Sequence, residues 1–252
     1  MRAFVDLLLF RSYSDLLAER QRTYLGFAWW LIAPAAYLGT FVLVFGNMFG
    51  HQSSKFVPYL LVGVAWWHWF SSSLSHGSSS ILDGLEVQRQ VRVAPVLFPL
   101  VSVLTDTYKF LLVLVVLLAI FWAMGYPPHP SWFAIPFILV ANVLAIAAAT
   151  TLVAACVPLV PDARFALDSL LHVWMFVSGV FYYREQLPES ARWILDANPT
   201  YAMITTWRDV LMDGRAPSPA ALILQLALGA AALVLATAVV RLLASRYAKA
   251  PQ

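Results

Sequence analysis

The sequence predicts an all-α membrane protein: six transmembrane helices, an N-terminal amphipathic interface helix, and re-entrant short helices before helix six. Three observations carry this. Of 252 residues, 61% are hydrophobic and 12% charged, the latter about half the roughly 25% of soluble proteins. Apolar stretches, most near the ~20 residues that cross a bilayer, recur six times between polar or Pro-rich connections. One stretch, Phe176 to Arg208, begins as an apolar helix and stops being one near Phe181, continuing in pieces too short to cross. Non-helical backbone at membrane depth survives only where protein buries it or water lines it. An ordinary surface loop and a re-entrant pair guarding a polar path are both open readings of it.

Residues 1–22 read as an amphipathic surface helix. Val5, Leu8, Leu9, Leu16 and Leu17 recur at helical spacing, and Arg2, Asp6, Asp15, Glu19, Arg20 and Arg22 supply the polar side. A solvated helix and a partner-docking surface are equally open. The transmembrane region covers 25–243, with spans near 25–49, 57–74, 100–124, 132–159, 165–181 and 220–243. Pro34 kinks the first or marks a packing seam. Trp66, Trp67, Trp69 and Phe70 crowd the later half of the second, and Ser71 to Arg92 is then a polar connection ended by Pro95 and Pro99. The fourth span is Ala-rich in its middle, which suits close helix packing. Segment 182–217 forms an external hairpin and 244–252 a tail.

Six spans put both termini on one side. That side carries Arg2, Arg11, Arg20, Arg22, Arg89, Arg92, Arg164, Arg241, Arg246 and Lys249, and the opposite short loops carry Lys55. Segment 182–217 adds four arginines, but five acids accompany them. The positive-inside rule places both termini in the cytoplasm and the interrupted stretch outside. The pI of about 9.1 therefore sets topology and does not point to nucleic acid. Cys156, the single cysteine, lies in an apolar run, so no disulfide framework or CxxC site is expected. The run Val5 to Phe10 is too short for the apolar core of a cleavable signal peptide.

No catalytic motif is evident: the sequence lacks HExxH, GxSxG and an Asp-x-Asp pair. It lacks GxxxxGK[ST], so ATP-driven work requires a second polypeptide. His51, His68, His76, His129 and His172 show no pair at metal-ligand spacing, and no metal is expected. Asp106 and Lys109, three apart on one face of the third span, read first as a structural pair near the cytoplasmic interface and second as part of a transport path. Asp168, near Arg164, has the same structural reading. Aromatic residues make up 14% of the chain. Trp30, Tyr37, Phe41 and Phe45 fall along one face of the first span, and Phe176, Phe181, Tyr182 and Tyr183 gather at the outer end of the fifth. An interfacial aromatic belt and a slide for the flat faces of sugars are equally good accounts of them.

Three motifs occur in order. They are the basic helix followed by TYLGFAWWLIAPAAYLGTFVLVFGNMFG, with Leu25, Gly26, Trp30, Pro34, Phe45 and Gly46; then YLLVGVAWWHWFSSSLSHGSSSIL; then LPESARWILDANPTYAMITTWRDVL, with Pro188, Trp193, Asn198, Pro199 and Arg208. In these the chain resembles the permease subunits of type-2 ABC exporters, specifically the group that exports polysaccharides such as O-antigen, capsule and teichoic acid. The resemblance implies a homodimer in the bacterial inner membrane, paired with two copies of a nucleotide-binding ATPase subunit that carries the ATP and Mg. It implies that the surface helix and the 81–95 connection meet that ATPase. Asp83, Glu86, Arg89 and Arg92 are the candidate contacts, with Asp162 and Arg164 next. It implies that the external stretch forms gate helices, with Pro188, Trp193, Asn198, Pro199 and Arg208 as gate residues. One departure is RQVRVAPVLFP, which lacks the family's usual Lys-aromatic pair before the proline.

The function expected is a non-enzymatic translocation pore for a lipid-linked polysaccharide, with Trp30, Tyr37, Phe41, Phe45, Phe176, Phe181, Tyr182 and Tyr183 along the path. The alternative is a type-2 ABC exporter of drugs or small lipids. A membrane glycosyltransferase is disfavoured by the missing metal-binding acids, and a structural scaffold by the interrupted helix.

Overall fold

The computed structural model describes residues 2–21, 55–90 and 93–247, with residues 28, 32, 35, 36 and 40. The first predicted span is therefore largely outside the described residues, as are the candidate path residues Trp30, Tyr37, Phe41 and Phe45 and the candidate contact Arg92. Ala28, Ile32, Ala35, Ala36 and Thr40 are helical.

The chain is helical, and no strand occurs among the described residues. In order, the helices are α1 (Arg2–Gln21), α2 (Phe56–Ser78), α3 (Ser80–Asp83), α4 (Leu85–Gln90), α5 (Leu97–Ala123), α6 (Ile135–Cys156), α7 (Ala163–Val177), α8 (Arg192–Asp196), α9 (Pro199–Leu211) and α10 (Pro219–Tyr247). Single 3-10 turns cover Pro130–Ala134, Arg184–Gln186 and Glu189–Ala191. Prolines sit in the first turns of five helices: Pro58, Pro99, Pro136, Pro199 and Pro219. There the missing N–H has no intrahelical partner to lose, and the fixed φ already suits the helix.

Among the described residues, three helical segments are long and apolar enough to cross a membrane: Leu97–Ala123, Pro130–Cys156 and Pro219–Ala244. These are the third, fourth and sixth predicted spans. The second and fifth differ from expectation. α2 does not stop at residue 74 but runs to Ser78, and α3 and α4 continue the helical path to Gln90. The polar connection from Ser71 is thus largely helical. Serine lowers helix propensity only modestly, and Ser71, Ser78 and Ser80 return their hydroxyls to carbonyls of the preceding turn. The fifth span is shorter than the predicted 165–181, because α7 ends at Val177. Gly179 follows with φ +63°, a conformation glycine adopts without strain and other residues resist.

α2, α5 and α6 form the core, and α10 packs along α6. The Ala-rich middle of α6 permits that approach, as expected. A Cβ on Gly229 of α10 would stand 3.0 Å from the Leu144 Cβ and 3.3 Å from the Ala145 amide. The tryptophans of α2 are core residues and not a lipid-facing belt: Trp66, Trp67 and Trp69 are 1%, 5% and 2% exposed. Trp66 donates its indole N–H to Asn142 Oδ1 at 2.7 Å. Trp69 stacks on Phe110 at 4.2 Å and donates to Thr107 Oγ1 at 3.3 Å.

Successive long helices run in alternate directions and define two ends. At one, a satellite cluster gathers Phe4 of α1, Ile81 of α3, Val96 before α5, Ala154 and Ala155 of α6, and Tyr247 of α10. At the other lie the start of α2, the Tyr126–Ala134 turn and segment 178–218. Ser131 Oγ donates there to the Val210 carbonyl at 2.9 Å.

Candidate functional site

The site builds up from α9. Asn198 is its N-cap and Pro199 its first residue. The Asn198 side-chain Oδ1 accepts from the Thr200 amide at 3.0 Å and from the Thr200 hydroxyl at 2.6 Å, an N-cap arrangement. Its amide nitrogen donates to the Val177 carbonyl at 3.1 Å and to Ser178 Oγ at 3.4 Å. Ser178 Oγ lies 2.8 Å from Thr200 Oγ1, which also accepts from the Trp174 indole at 3.1 Å. One asparagine thus caps α9 and also satisfies a carbonyl at the end of α7. The Asn-Pro break acts as a fastening point.

Two turns further on, Arg208 is 4% exposed. Its Nε donates to the Tyr59 carbonyl at 3.2 Å, Nη1 to Gly179 at 3.0 Å and Nη2 to Val180 at 3.0 Å. Its guanidinium lies 3.3 Å from the centroid of the Tyr59 ring, a cation–π contact. The Tyr59 hydroxyl donates to the Gly179 and Tyr182 carbonyls at 3.2 and 2.8 Å. Gly63, one turn along α2, leaves the space: a Cβ there would stand 2.5 Å from Nη2 of Arg208. Arginine's planar fork reaches three acceptors at once, which a lysine ammonium cannot reproduce. Arg208 therefore joins α9, the exit of α7 and the start of α2.

The first half of the hairpin is less regular than expected. Short helices were predicted on both sides of Asn198-Pro199. Before it, two 3-10 turns and the five-residue α8 are found, because Pro188 interrupts the backbone ladder as the N-cap of the second turn. After it, α9 runs from 199 to 211. Arg184 pairs with Asp196 through Nε and Nη2 at 2.7 and 2.6 Å, closing the first half on itself. The hydrogen bond from Arg184 holds the Asp196 carboxyl below its ordinary range, and the same bond raises the Arg184 guanidinium. Trp193, a predicted gate residue, is 66% exposed, whereas Ile204 on α9 is fully buried.

Of the described path candidates, Phe181 is buried and Phe176 exposed. Their rings lie 5.3 Å apart. The Tyr182 hydroxyl donates to the Phe176 carbonyl at 2.7 Å, and Tyr183 packs on Tyr59 at 4.0 Å. Gate and path candidates therefore meet at one end of the molecule.

Candidate ATPase contacts occupy the other end. Asp83 is exposed and accepts from Ser79 Oγ at 2.9 Å; Glu86 and Arg89 lie on α4. Ile81, beside Asp83, packs in the same cluster as Ala154 and Ala155, a few residues before Asp162 and Arg164. Arg164, exposed, lies over the Phe165 ring at 4.6 Å. α1 packs along α5 here. Its Phe4, Leu8 and Leu16 are partly covered, while Val5, Leu9, Phe10 and Tyr13 face outward. The expected apolar side thus divides into an inward and an outward stripe.

Asp106 and Lys109 form the structural pair expected, within a larger network. Lys109 Nζ lies 2.9 Å from Asp106 Oδ1 and 2.6 Å from Glu19 Oε2 of α1, and His76 Nδ1 lies 2.9 Å from Asp106 Oδ2.

The model of the ABC-2 type transporter family matches residues 12–212. The chain belongs to that family. The ABC-2 match spans α1 to the end of α9 and so includes both ends just described. Among curated relatives, the chain is 28% identical over 236 residues to the O-antigen export system permease protein RfbA of Myxococcus xanthus, covering 92% of this chain and 89% of that one. It is 23% identical over 210 residues to a Klebsiella pneumoniae protein of the same name, covering 83% and 81%. As an ABC-2 family member it is a multi-pass membrane transport protein that works with an ATPase subunit.

Sequence reasoning singled out Asn198, Pro199 and Arg208 but missed their partners. Ser178-Gly179 after an apolar run is a legible helix stop, and Asn-Pro-Thr a legible cap. Tyr59 and Gly63 give no local signal, since their roles depend on a side chain far along the chain.

Proposed function

We propose that this chain is the transmembrane permease subunit that exports a lipid-linked polysaccharide such as O-antigen across the inner membrane. ATP hydrolysis takes place on a separate subunit, which binds the ATP and Mg. The carrying observation is the match, over about nine-tenths of both chains, to a protein named as an O-antigen export permease. The pore is a homodimer bearing two ATPase copies, and each chain has six spans with both termini cytoplasmic. The 81–95 connection and α1 meet the ATPase, with residues 160–164 next. Segment 182–217 dips into the outer half of the membrane and gates the exit, with Arg208 and Asn198 fixing it to α7 and α2. Separation of these regions to opposite ends supports the assignment, since drive and exit belong on opposite faces.

The test is deletion of the gene in its native host. Surface polysaccharide should vanish, with polymer retained inside, and return on complementation. Purified chain alone should hydrolyse no ATP, and hydrolysis should appear with the ATPase subunit. Normal surface polymer in the deletion strain, together with altered tolerance to drugs, would replace this reading with the drug and small-lipid exporter.

A further inference from the structure

Between α2 and α7 lies a cleft of about 270 Å³. Its polar wall on α2 is Ser71, Ser72 and Ser75, with His68 one turn before; on α7 it is Asp168 and His172. Each set repeats at three or four residues, so each presents one helix face. The floor is apolar, with Trp67 and Phe181. Ser75 Oγ donates to Asp168 Oδ1 at 2.6 Å and joins the two helices across it.

The chemistry of the wall selects a ligand class. His172 Nδ1 lies 2.7 Å from the Asp168 carbonyl. A carbonyl can only accept, so Nδ1 carries the proton and Nε2 of the neutral ring is an acceptor. Serine hydroxyls donate and accept. Neither lysine nor arginine lines the cleft among the described residues, the lining His76 is already paired with Asp106 at 2.9 Å, and the carboxylate of Asp168 faces the cleft, which disfavours an anion such as the phosphate of a lipid carrier. Among the described residues no group of three His, Cys, Asp or Glu side chains could hold a metal ion. Ser71 and Ser75 already donate, to the His68 carbonyl and to Asp168, but an apolar drug or lipid would bury the Ser72 hydroxyl without a partner, which costs about 1–3 kcal/mol. A polyhydroxylated ring suits all of these: hydroxyls for the polar wall, and a flat C–H face for Trp67 and Phe181. The volume falls just under the roughly 300–1,000 Å³ of whole small-molecule sites, so it admits one ring of a polymer.

We infer that this cleft is a sugar-recognition subsite, where Ser71, Ser72, Asp168 and His172 hydrogen-bond one sugar residue of the passing polymer. It rests on the export reading above and adds a contact that the aromatic residues do not supply. It lies on the line between the two ends. Phe181 at its outer edge neighbours Val180, whose carbonyl binds Arg208, and α2 leads from it to α3 at the other end.

The experiment uses the assembled transporter in cells. In a Cys156→Ser background, Ser72→Cys is alkylated with N-ethylmaleimide while polymer synthesis is on or blocked. Leu170→Cys, on the exposed side of α7, is the reference. Polymer should slow alkylation at position 72 severalfold and leave position 170 unchanged. In parallel, Ser71→Ala, Ser72→Ala and His172→Ala should each lower surface polymer about three- to tenfold at equal membrane abundance, the loss of roughly one hydrogen bond. Should His172→Ala reduce abundance, the two serine variants, which spare the Ser75–Asp168 bond, decide. Equal alkylation with and without polymer overturns the subsite, as does undiminished export by the serine variants. A deletion strain that still displays polymer overturns the export reading and the subsite with it. A polymer-free deletion strain with unprotected Ser72→Cys removes the subsite alone.

Discussion

Arg208 and Tyr59, 149 positions apart, meet with the guanidinium carbon 3.3 Å from the ring centroid and the Nε bonded to the Tyr59 carbonyl. This pair fixes the broken segment before α10 to the first turn of α2. The Gly179 and Val180 carbonyls, on the other two nitrogens, bring in the end of α7. Movement at any of the three elements therefore passes through one side chain.

Replacing Arg208 tests that junction. Arg208→Leu removes a donor from three buried carbonyls, of which Gly179 keeps the Tyr59 hydroxyl, and a carbonyl left with no donor costs about 1–3 kcal/mol before relaxation. The thermal midpoint of the detergent-solubilised protein, followed by size-exclusion fluorescence, should fall well below wild type. Arg208→Lys keeps the charge but not the fork, and should fall between. A leucine variant as heat-resistant as wild type would show that the junction contributes nothing.

Gly63 gives an independent measure. Alanine ordinarily stabilises a helix interior over glycine by roughly 0.5–1 kcal/mol. Here its Cβ would stand 2.5 Å from Arg208 Nη2, 3.1 Å from the Val180 carbonyl and 3.3 Å from Val180 Cγ1. Two of those atoms are backbone oxygen and packed side chain and cannot swing away, so the sign reverses. Gly63→Ala should destabilise by about 1–3 kcal/mol. Contacting residues couple, so the same change in Arg208→Lys protein should cost less. A more stable Gly63→Ala protein would refute the close packing.

Single cysteines in a Cys156→Ser background separate a dipping hairpin from a surface loop. Ile204 is fully buried by protein and Trp193 is 66% exposed. Ile204→Cys should resist an impermeant external thiol reagent in either case, so position 193 decides. Trp193→Cys should be shielded at rest and become reactive during export. Rapid, constant labelling would put α8 on the aqueous surface.

Lys109 joins α1 to the charged network of α5. Lys109→Met leaves Asp106, 3% exposed, facing His76 alone. Breaking a buried pair costs about 3–5 kcal/mol, so this variant should accumulate poorly in the membrane. Glu19, about half exposed at 45%, contributes to a partly screened contact, and Glu19→Gln should cost under about 1 kcal/mol. It should nevertheless speed protease cleavage within α1. Unchanged cleavage would mean that the surface helix is held by its Phe4 and Leu8 contacts and not by this bridge.

Several elements were legible because they depend on local chemistry. Apolar length marked α5, α6 and α10, the alanines of α6 marked the close approach of α10, and Asn198-Pro199 marked the break before α9. The end of α2 was not legible, and the end of α7 was read too late although Ser178-Gly179 is a stop signal. Ser71 to Ser78 reads as polar loop, yet Ser71 and Ser78 satisfy carbonyls one turn back, and Ser73 and Ser78 are buried. Ser178 and Gly179 end α7 four residues before the apolar run gives out, because Arg208 and Asn198 take up the freed carbonyls.

By itself the sequence determined an all-helical, membrane-embedded chain without a P-loop, with an interrupted segment before its last helix and an ion pair on α5. These follow from composition and from spacings within a few residues, where propensity, proline sterics and desolvation act locally. The tertiary structure decided which residues meet. It set Tyr59, Gly63 and Arg208 at one junction, Glu19 beside Lys109, and the serines of α2 opposite Asp168 and His172. A buried guanidinium or hydroxyl must find partners wherever the fold supplies them, and no local pattern encodes acceptors that lie a hundred or more residues away.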